Sequence, residues 1–368
     1  MKYKSQMIYF FIFLCTSTPI NISAAHHNTI VATINTGVTP AGIAITPNSR
    51  YAYVANNNNY GIIGEDSVSV IKLKNNTIKT TIFDSTFNQP YTITISPDGT
   101  RAYVTNSNST TITIINTKTN TVIGVINGFD GPSGMVITHD GTRAYVNNYG
   151  GPEGVGSGNA TTVRIVDLIN NTIIGQPITV GLAPAALAIS PDGKYVYIIN
   201  YVDGNPGTGT ISIIQTSDNS VINTINGLSG PFAIAITPSG KYAYVTNFGS
   251  NNFAPIGTTV SIVNLKHNSI VKTIDLGIQP SGIAISPHGH WAYVSNYNTL
   301  YADGQNFTGL TAGQGTVNII NVKRKKLIPI IIPVGQSPSA IAIAPNGKYA
   351  YVTNFTSNTV DVIALPHH

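Results

Sequence analysis

Short apolar runs separated by polar turns fill the chain from about residue 28 to its end. The stretch PFAIAITPSGKYAYVTNF (Pro231 to Phe248), followed by GTTVSIVNLKHNSIVKTI (Gly257 to Ile274), shows the plan most clearly. It predicts four strands: PFAIAIT, KYAYVTN, TVSIVNL and SIVKTI, with turns at the Pro-Ser-Gly segment and at Lys266-His267-Asn268. In the first two strands apolar residues occupy both faces rather than alternating. A strand covered on two sides requires that pattern, so each sheet is expected to lie between two others.

The same unit recurs seven times. Its marker tyrosines are Tyr53, Tyr103, Tyr145, Tyr197, Tyr244, Tyr293 and Tyr351, at intervals of 42 to 58 residues. Three residues after each comes an asparagine: Asn56, Asn106, Asn148, Asn200, Asn247, Asn296 and Asn354. A proline opens every first strand, at 40, 90, 132, 184, 231, 280 and 338, a position where no ladder hydrogen bond is forfeited. Units of this length built from strands and turns predict an all-β fold, a seven-bladed β-propeller of four-stranded antiparallel blades. The last unit supplies only three strands, and Asn28 to Asn35 (NTIVATIN) supplies the fourth. The N-terminal strand is thus expected to complete the last blade and close the ring. Residues required once per blade read as structural. The tyrosine is expected to pack between blades with a hydrogen-bonding tip, and the asparagine to form a turn that bonds nearby backbone.

Tetrapeptides such as YVTN at Tyr103 to Asn106, Tyr244 to Asn247 and Tyr351 to Asn354 resemble those of the YVTN-family β-propeller repeat proteins, a group of exported prokaryotic propellers. The resemblance spans residues 28–366, with Ile198-Ile199 and Ser295 departing from the motif. It implies a seven-bladed fold and an envelope or surface location. It implies no single activity and carries over no catalytic residue.

Composition sharpens this picture in three places. Only 9% of residues are charged, while Gly (35) and Pro (21) are abundant, which suits strands and tight turns. Lys2 and Lys4, the apolar run Met7 to Leu14, and Ser23-Ala24-Ala25 read as a signal peptide over 1–25, leaving 26–368 as one propeller domain. The apolar run is far short of the ~20 residues a membrane helix needs, so the chain is expected to be exported, periplasmic or at the cell surface, and not membrane-spanning. Cys15 offers a lipobox reading, with Leu14 bulky where a small residue is preferred. Beyond Cys15 there is no cysteine, which excludes a disulfide framework. Without Lys2 and Lys4 the balance is 17 basic against 14 acidic residues, a net of +3, too mild to predict a nucleic-acid partner.

Antiparallel blades place their connections on two faces. The turns between strands one and two, and between three and four, share a turn face. The connections between strands two and three, and between blades, share a loop face, where every long insertion falls. Glu65, Asp66, Asp84, Asp130, Glu153, Asp203 and Asp303 are predicted on that loop face, together with no Lys or Arg. Aromatic residues follow the repeat asparagine there, at Tyr149, Tyr201, Phe248, Tyr297 and Phe355. Acidic and aromatic groups on long loops suit a protein, glycan or cationic ligand, and the candidate ligand-binding residues are Tyr149, Glu153, Tyr201, Asp203, Tyr301 and Asp303. The shared Tyr-x-Asp-Gly of blades four and six reads as a tight turn or as oxygen ligands for calcium. No catalytic residue, metal or cofactor is predicted: His139, His288, His290 and His267 fall in turns away from the loop face, and no phosphate loop or nucleophile elbow occurs. The reading that follows is a non-enzymatic binding protein. The alternatives are a propeller hydrolase or lyase, similar to lactonases or the virginiamycin B lyase group, and a self-associating surface-coat component.

Overall fold

The computed structural model describes residues 27–58, 65–150, 160–202, 206–249, 256–298 and 313–366. These residues form seven four-stranded antiparallel sheets, and the first strand of each touches that of the next all the way round. The fold is a seven-bladed β-propeller. Blade one runs outward through Pro40–Ile45, Tyr51–Asn56, Ser67–Lys72 and Thr77–Phe83. In the last blade the outermost strand is Thr29–Asn35, paired antiparallel with Thr359–Ala364, so the N-terminal strand closes the ring as expected.

Each blade's first strand carries a bulge just after its proline, as between Pro338 and Ala340. A bulge leaves an N–H without a ladder partner. The threonine of the repeat motif takes that donor: Thr353 Oγ1 accepts from the Ala340 N–H at 3.0 Å and donates to the Ala41 carbonyl of the next blade at 2.8 Å. Thr246 does the same toward Ala233 and the Ser281 carbonyl. The inner strands are packed so closely that a Cβ on Gly42 would lie 2.5 Å from the Tyr91 carbonyl oxygen.

The repeat tyrosines are buried and reach the following blade. Tyr145 donates to Asn219 Oδ1 at 2.6 Å, Tyr351 to Asn76 Oδ1 at 3.1 Å, and Tyr293 to Asn28 Oδ1 at 3.0 Å, across the closure. The accepting asparagines hold φ of 53° to 62°, Asn76 and Asn219 in outer hairpins and Asn28 just ahead of the N-terminal strand, a left-handed conformation that asparagine tolerates better than most residues. Burial pushes the Tyr244 phenol up to about 12, since an ion there would be desolvated.

The repeat asparagine has a different role from the turn former its sequence context suggests. Its amide ties the second strand to hydroxyls on the third: Asn56 Nδ2 donates to Ser67 Oγ and Ser69 Oγ, and Asn247 Nδ2 to Thr259 Oγ1 and Ser261 Oγ. In the closing blade one of these acceptors is Asp361, 3% exposed. Its carboxylate accepts from Thr33 Oγ1 (2.6 Å), the Gly335 N–H (2.8 Å) and Asn354 Nδ2 (2.9 Å). Thr33 belongs to the N-terminal strand, so this cluster fastens the first strand to the last blade.

At the turn face the Asp-Gly turns of blades two, three and four are Asx turns. Asp98, Asp140 and Asp192 accept from Ser96, Thr138 and Ser190 hydroxyls at 2.5 to 2.6 Å. These bonds, reinforced by backbone N–H groups, hold the three carboxyls below the usual carboxylate range. In blade one Asn48 fills the same role, accepting from Thr46 Oγ1 and the Arg50 N–H.

Two outcomes follow from these contacts. Asp361→Asn puts an amide among three donors and is expected to destabilise the fold by about 2 kcal/mol, read as a lower midpoint in urea with an unchanged slope. The turn carboxylates titrate lower when folded than when unfolded. Their contribution is therefore present above the ordinary value of 3.8 and lost as pH falls through the lower folded values. Urea midpoints should drop below pH 4, and the triple variant Asp98→Asn, Asp140→Asn, Asp192→Asn should flatten that drop.

Candidate functional site

The seven first strands enclose a central cavity of about 320 Å³, lined by the residues that follow each proline. Because those prolines begin the strands, this cavity opens at the loop face. Its entry is governed by one backbone device. The residue before each proline lies in the left-handed region, including Thr39 (φ 47°), Gln89 (50°), Ala183 (52°) and Ser337 (52°). Its carbonyl accepts from the residue after the repeat asparagine, as in Tyr149 N–H to Gly131 O at 3.0 Å and Tyr201 N–H to Ala183 O at 2.9 Å. Residues preceding proline usually stay extended, so this kink is imposed by the ring. It fixes the first loop residue of every blade beside the cavity mouth.

Five blades place a small residue directly after the proline: Ala41, Ser133, Ala185, Ser281 and Ser339. Blades two and five place Tyr91 and Phe232 there, and both line the cavity. The Phe232 ring lies 5.1 Å from Phe248, which lies 6.0 Å from Tyr297 in an edge contact. Burial pushes the Tyr91 phenol well above its ordinary value, with the nearby Tyr149 and Tyr297 phenols adding to the shift. Tyr149 is raised by burial as well. The loop face therefore gathers Tyr91, Tyr149, Phe232, Phe248 and Tyr297 at the cavity mouth, three phenols and two wholly apolar rings.

Of the predicted ligand-binding residues, Tyr149 joins this cluster. Tyr201 is half-buried and donates to the Gly249 carbonyl of the next blade at 2.6 Å. Glu153, Asp203, Tyr301 and Asp303 lie outside the described residues. Tyr91 and Phe232 are the members that sequence reasoning passed over. Their signal was available, as the two bulky residues in a column otherwise occupied by Ala and Ser.

A polar flank lies beside blade two. Asp66 Oδ2 accepts from the Gln89 N–H at 3.2 Å, and burial is the main cause lifting this carboxyl above its ordinary value. Glu65 Oε2 and Asp66 Oδ1 are buried and find no hydrogen-bond partner among the described residues. Asp275 ends the fourth strand of blade five (Ser269–Asp275) and adds a loop-face carboxylate that the sequence reading left out. Among the described residues no three His, Cys, Asp or Glu side chains come together as a metal site. None of the described residues forms a helix long and apolar enough to cross a membrane.

Comparison with known proteins gives three results. The family model described as "Lactonase, 7-bladed beta-propeller" matches residues 21–123 and 220–368, more than half of the chain. The PE-PGRS family protein PE_PGRS18 of Mycobacterium tuberculosis is 46% identical over 55 residues, a segment covering 15% of this chain and 12% of that protein. A chain of the Kuenenia stuttgartiensis hydrazine synthase superposes with a TM-score of 0.72 at 21% identity, covering 89% of this chain and 96% of the other. At that identity the likeness is one of fold.

The Tyr201 hydroxyl offers a direct check on the cavity rim. Tyr201→Phe is expected to destabilise the protein by about 1 kcal/mol, measured by chemical denaturation, because it leaves the Gly249 carbonyl without its 2.6 Å donor.

Proposed function

We propose, from the premise that the chain belongs to the seven-bladed β-propeller lactonase family, that it is an exported, non-enzymatic binding propeller whose loop face holds a glycan. The observation that carries this reading is the gathering of five aromatic side chains at the mouth of the central cavity. Sugar rings present apolar C–H faces and polar edges, and an aromatic surface flanked by planar polar groups complements both. A recess of about 320 Å³ falls at the small end of ligand-pocket sizes. The carboxylates Glu65 and Asp66 supply acceptors on one side. Glu153, Asp203, Tyr301 and Asp303 are proposed to extend the site from the insertions of blades three, four and six. Within the family, the YVTN tetrapeptides favour the exported repeat propellers, hence an envelope or surface location.

A second reading is supported by the family description itself: hydrolysis of a lactone at the same face, with loop-face carboxylates as acid and base. Phe232→Ser with Tyr149→Ala tests the first reading, since five other blades accept a small residue in the Phe232 column. On an oligosaccharide array the unaltered chain should retain a defined subset, and the double variant should lose on the order of tenfold or more in affinity, since hot-spot truncations cost at least 2 kcal/mol. Unchanged retention by the variant would overturn the aromatic site, and lactone turnover without glycan binding would replace the binding reading with the hydrolytic one.

A further inference from the structure

The opposite face of the ring carries a charge asymmetry that the loop-face reading does not use. The third residue of each turn between strands one and two is Asp98, Asp140 or Asp192 in blades two, three and four. In blades five, six, seven and one it is Ser239, His288, Asn346 and Asn48. The outer hairpins add Asp167 and Asp218 in blades three and four, whereas those of blades one, two, five and six have no carboxylate. Blades five, six, seven and one are consecutive around the closed ring, because the last blade packs against the first. Among the described residues their turn face is therefore an arc free of side-chain carboxylates, while basic residues continue along it.

Between blades seven and one lies a groove of about 420 Å³ lined by Arg50, Lys72, Lys74 and Lys348, with Tyr51 and Tyr349 in its wall. All four cations are exposed, and the single ion pair among the described residues is Lys194 with Asp192, in blade four. Lys79 lies over the Tyr51 ring at 4.5 Å from its centroid. Farther along the same arc, at blades five and six, Lys325 lies over Tyr242 at 3.9 Å. Its hydrogen bond and charge, with help from Lys241, pull the Tyr242 phenol below its ordinary value. Like charges held close together without counter-ions raise the local potential and favour an anion over the intervening solvent.

We infer that the turn face of blades five, six, seven and one binds a linear polyanion, seated in the groove between blades seven and one and continuing along the arc. A chain with closely spaced anionic groups fits better than a flat anionic bilayer. The groove cations line a recess that a thin polymer enters, and the groove wall offers no exposed large aliphatic side chain for insertion into lipid. The site is independent of the loop-face glycan reading and shares no residue with it.

The test compares two triple variants of equal charge change, all at exposed side chains. Lys72→Gln, Lys74→Gln, Lys348→Gln removes three of the four groove cations and leaves Arg50; Lys118→Gln, Arg143→Gln, Lys194→Gln alters blades two to four. Long-chain polyphosphate and polygalacturonate serve as probes, separating phosphate from carboxylate polymers, with phosphatidylglycerol vesicles alongside. The unaltered chain should bind at least one polymer at low salt and release it as salt rises. The groove variant should lose on the order of tenfold or more in affinity, while the blade two to four variant stays within about twofold, because each displaced contact removes a released counter-ion. Equal losses in the two variants would reduce the effect to net charge and overturn the proposal. Failure of both polymers to bind, or binding to vesicles alone, would overturn it as well.

Discussion

A four-stranded sheet with apolar residues on both faces cannot hide them alone, and everything in this protein depends on that constraint. Each blade is stable only between two neighbours, so the ring must close, and the contacts across blade boundaries matter more than those within any one sheet. At the axis the inner strands approach so closely that a Cβ at position 42 would meet the backbone of the next blade. Side chains that link one blade to the next are accordingly the ones repeated along the sequence.

The repeat motif can be understood as a set of such links. Tyrosine carries a hydroxyl to the next blade's outer hairpin, threonine repairs the bulge that follows the proline, and asparagine holds the third strand. Blade three substitutes Asn147 for threonine and still spans the boundary, donating to Ser133 Oγ and to the Pro184 carbonyl. The threonine hydroxyls and asparagine amide N–H groups of the motif are thus engaged in holding the scaffold together, while the repeat asparagine Oδ1 atoms of blades one, four, five, six and seven find no hydrogen-bond partner among the described residues. Specific chemistry is left to positions where the blades differ: the column after the proline, the loops and the turn-face charges.

That division explains what could be read from the chain directly. Blade number, strand boundaries and closure by residues 28–35 were legible because they arise from periodicity and strand count, which are local and additive. The asparagine's role was not, because its partners Ser67 and Ser69 lie across an insertion of unpredictable length. Tyr91 and Phe232 escaped because aromatic residues inside an apolar strand look like core until the axis is known. Tyr149 was legible as a loop-face aromatic. Its neighbours Tyr91 and Tyr297, from blades two and six, become adjacent only through ring geometry. The left-handed residue before each proline ran against local preference, since Thr39 and Gln89 are poor indicators of positive φ.

Thr33 and Asp361 are separated by 328 positions, close to the longest span the chain allows. Joining them carries a large loop-closure entropy, which falls once the six intervening sheets have formed and shortened the effective path between the ends. Until they join, the final blade presents a bare strand, so the maturing chain passes through a stage with one unpaired edge open to solvent or to a second copy. How quickly the first strand finds that edge therefore sets how long the protein is vulnerable to swapping partners, and it links assembly rate to the moment the last residues emerge.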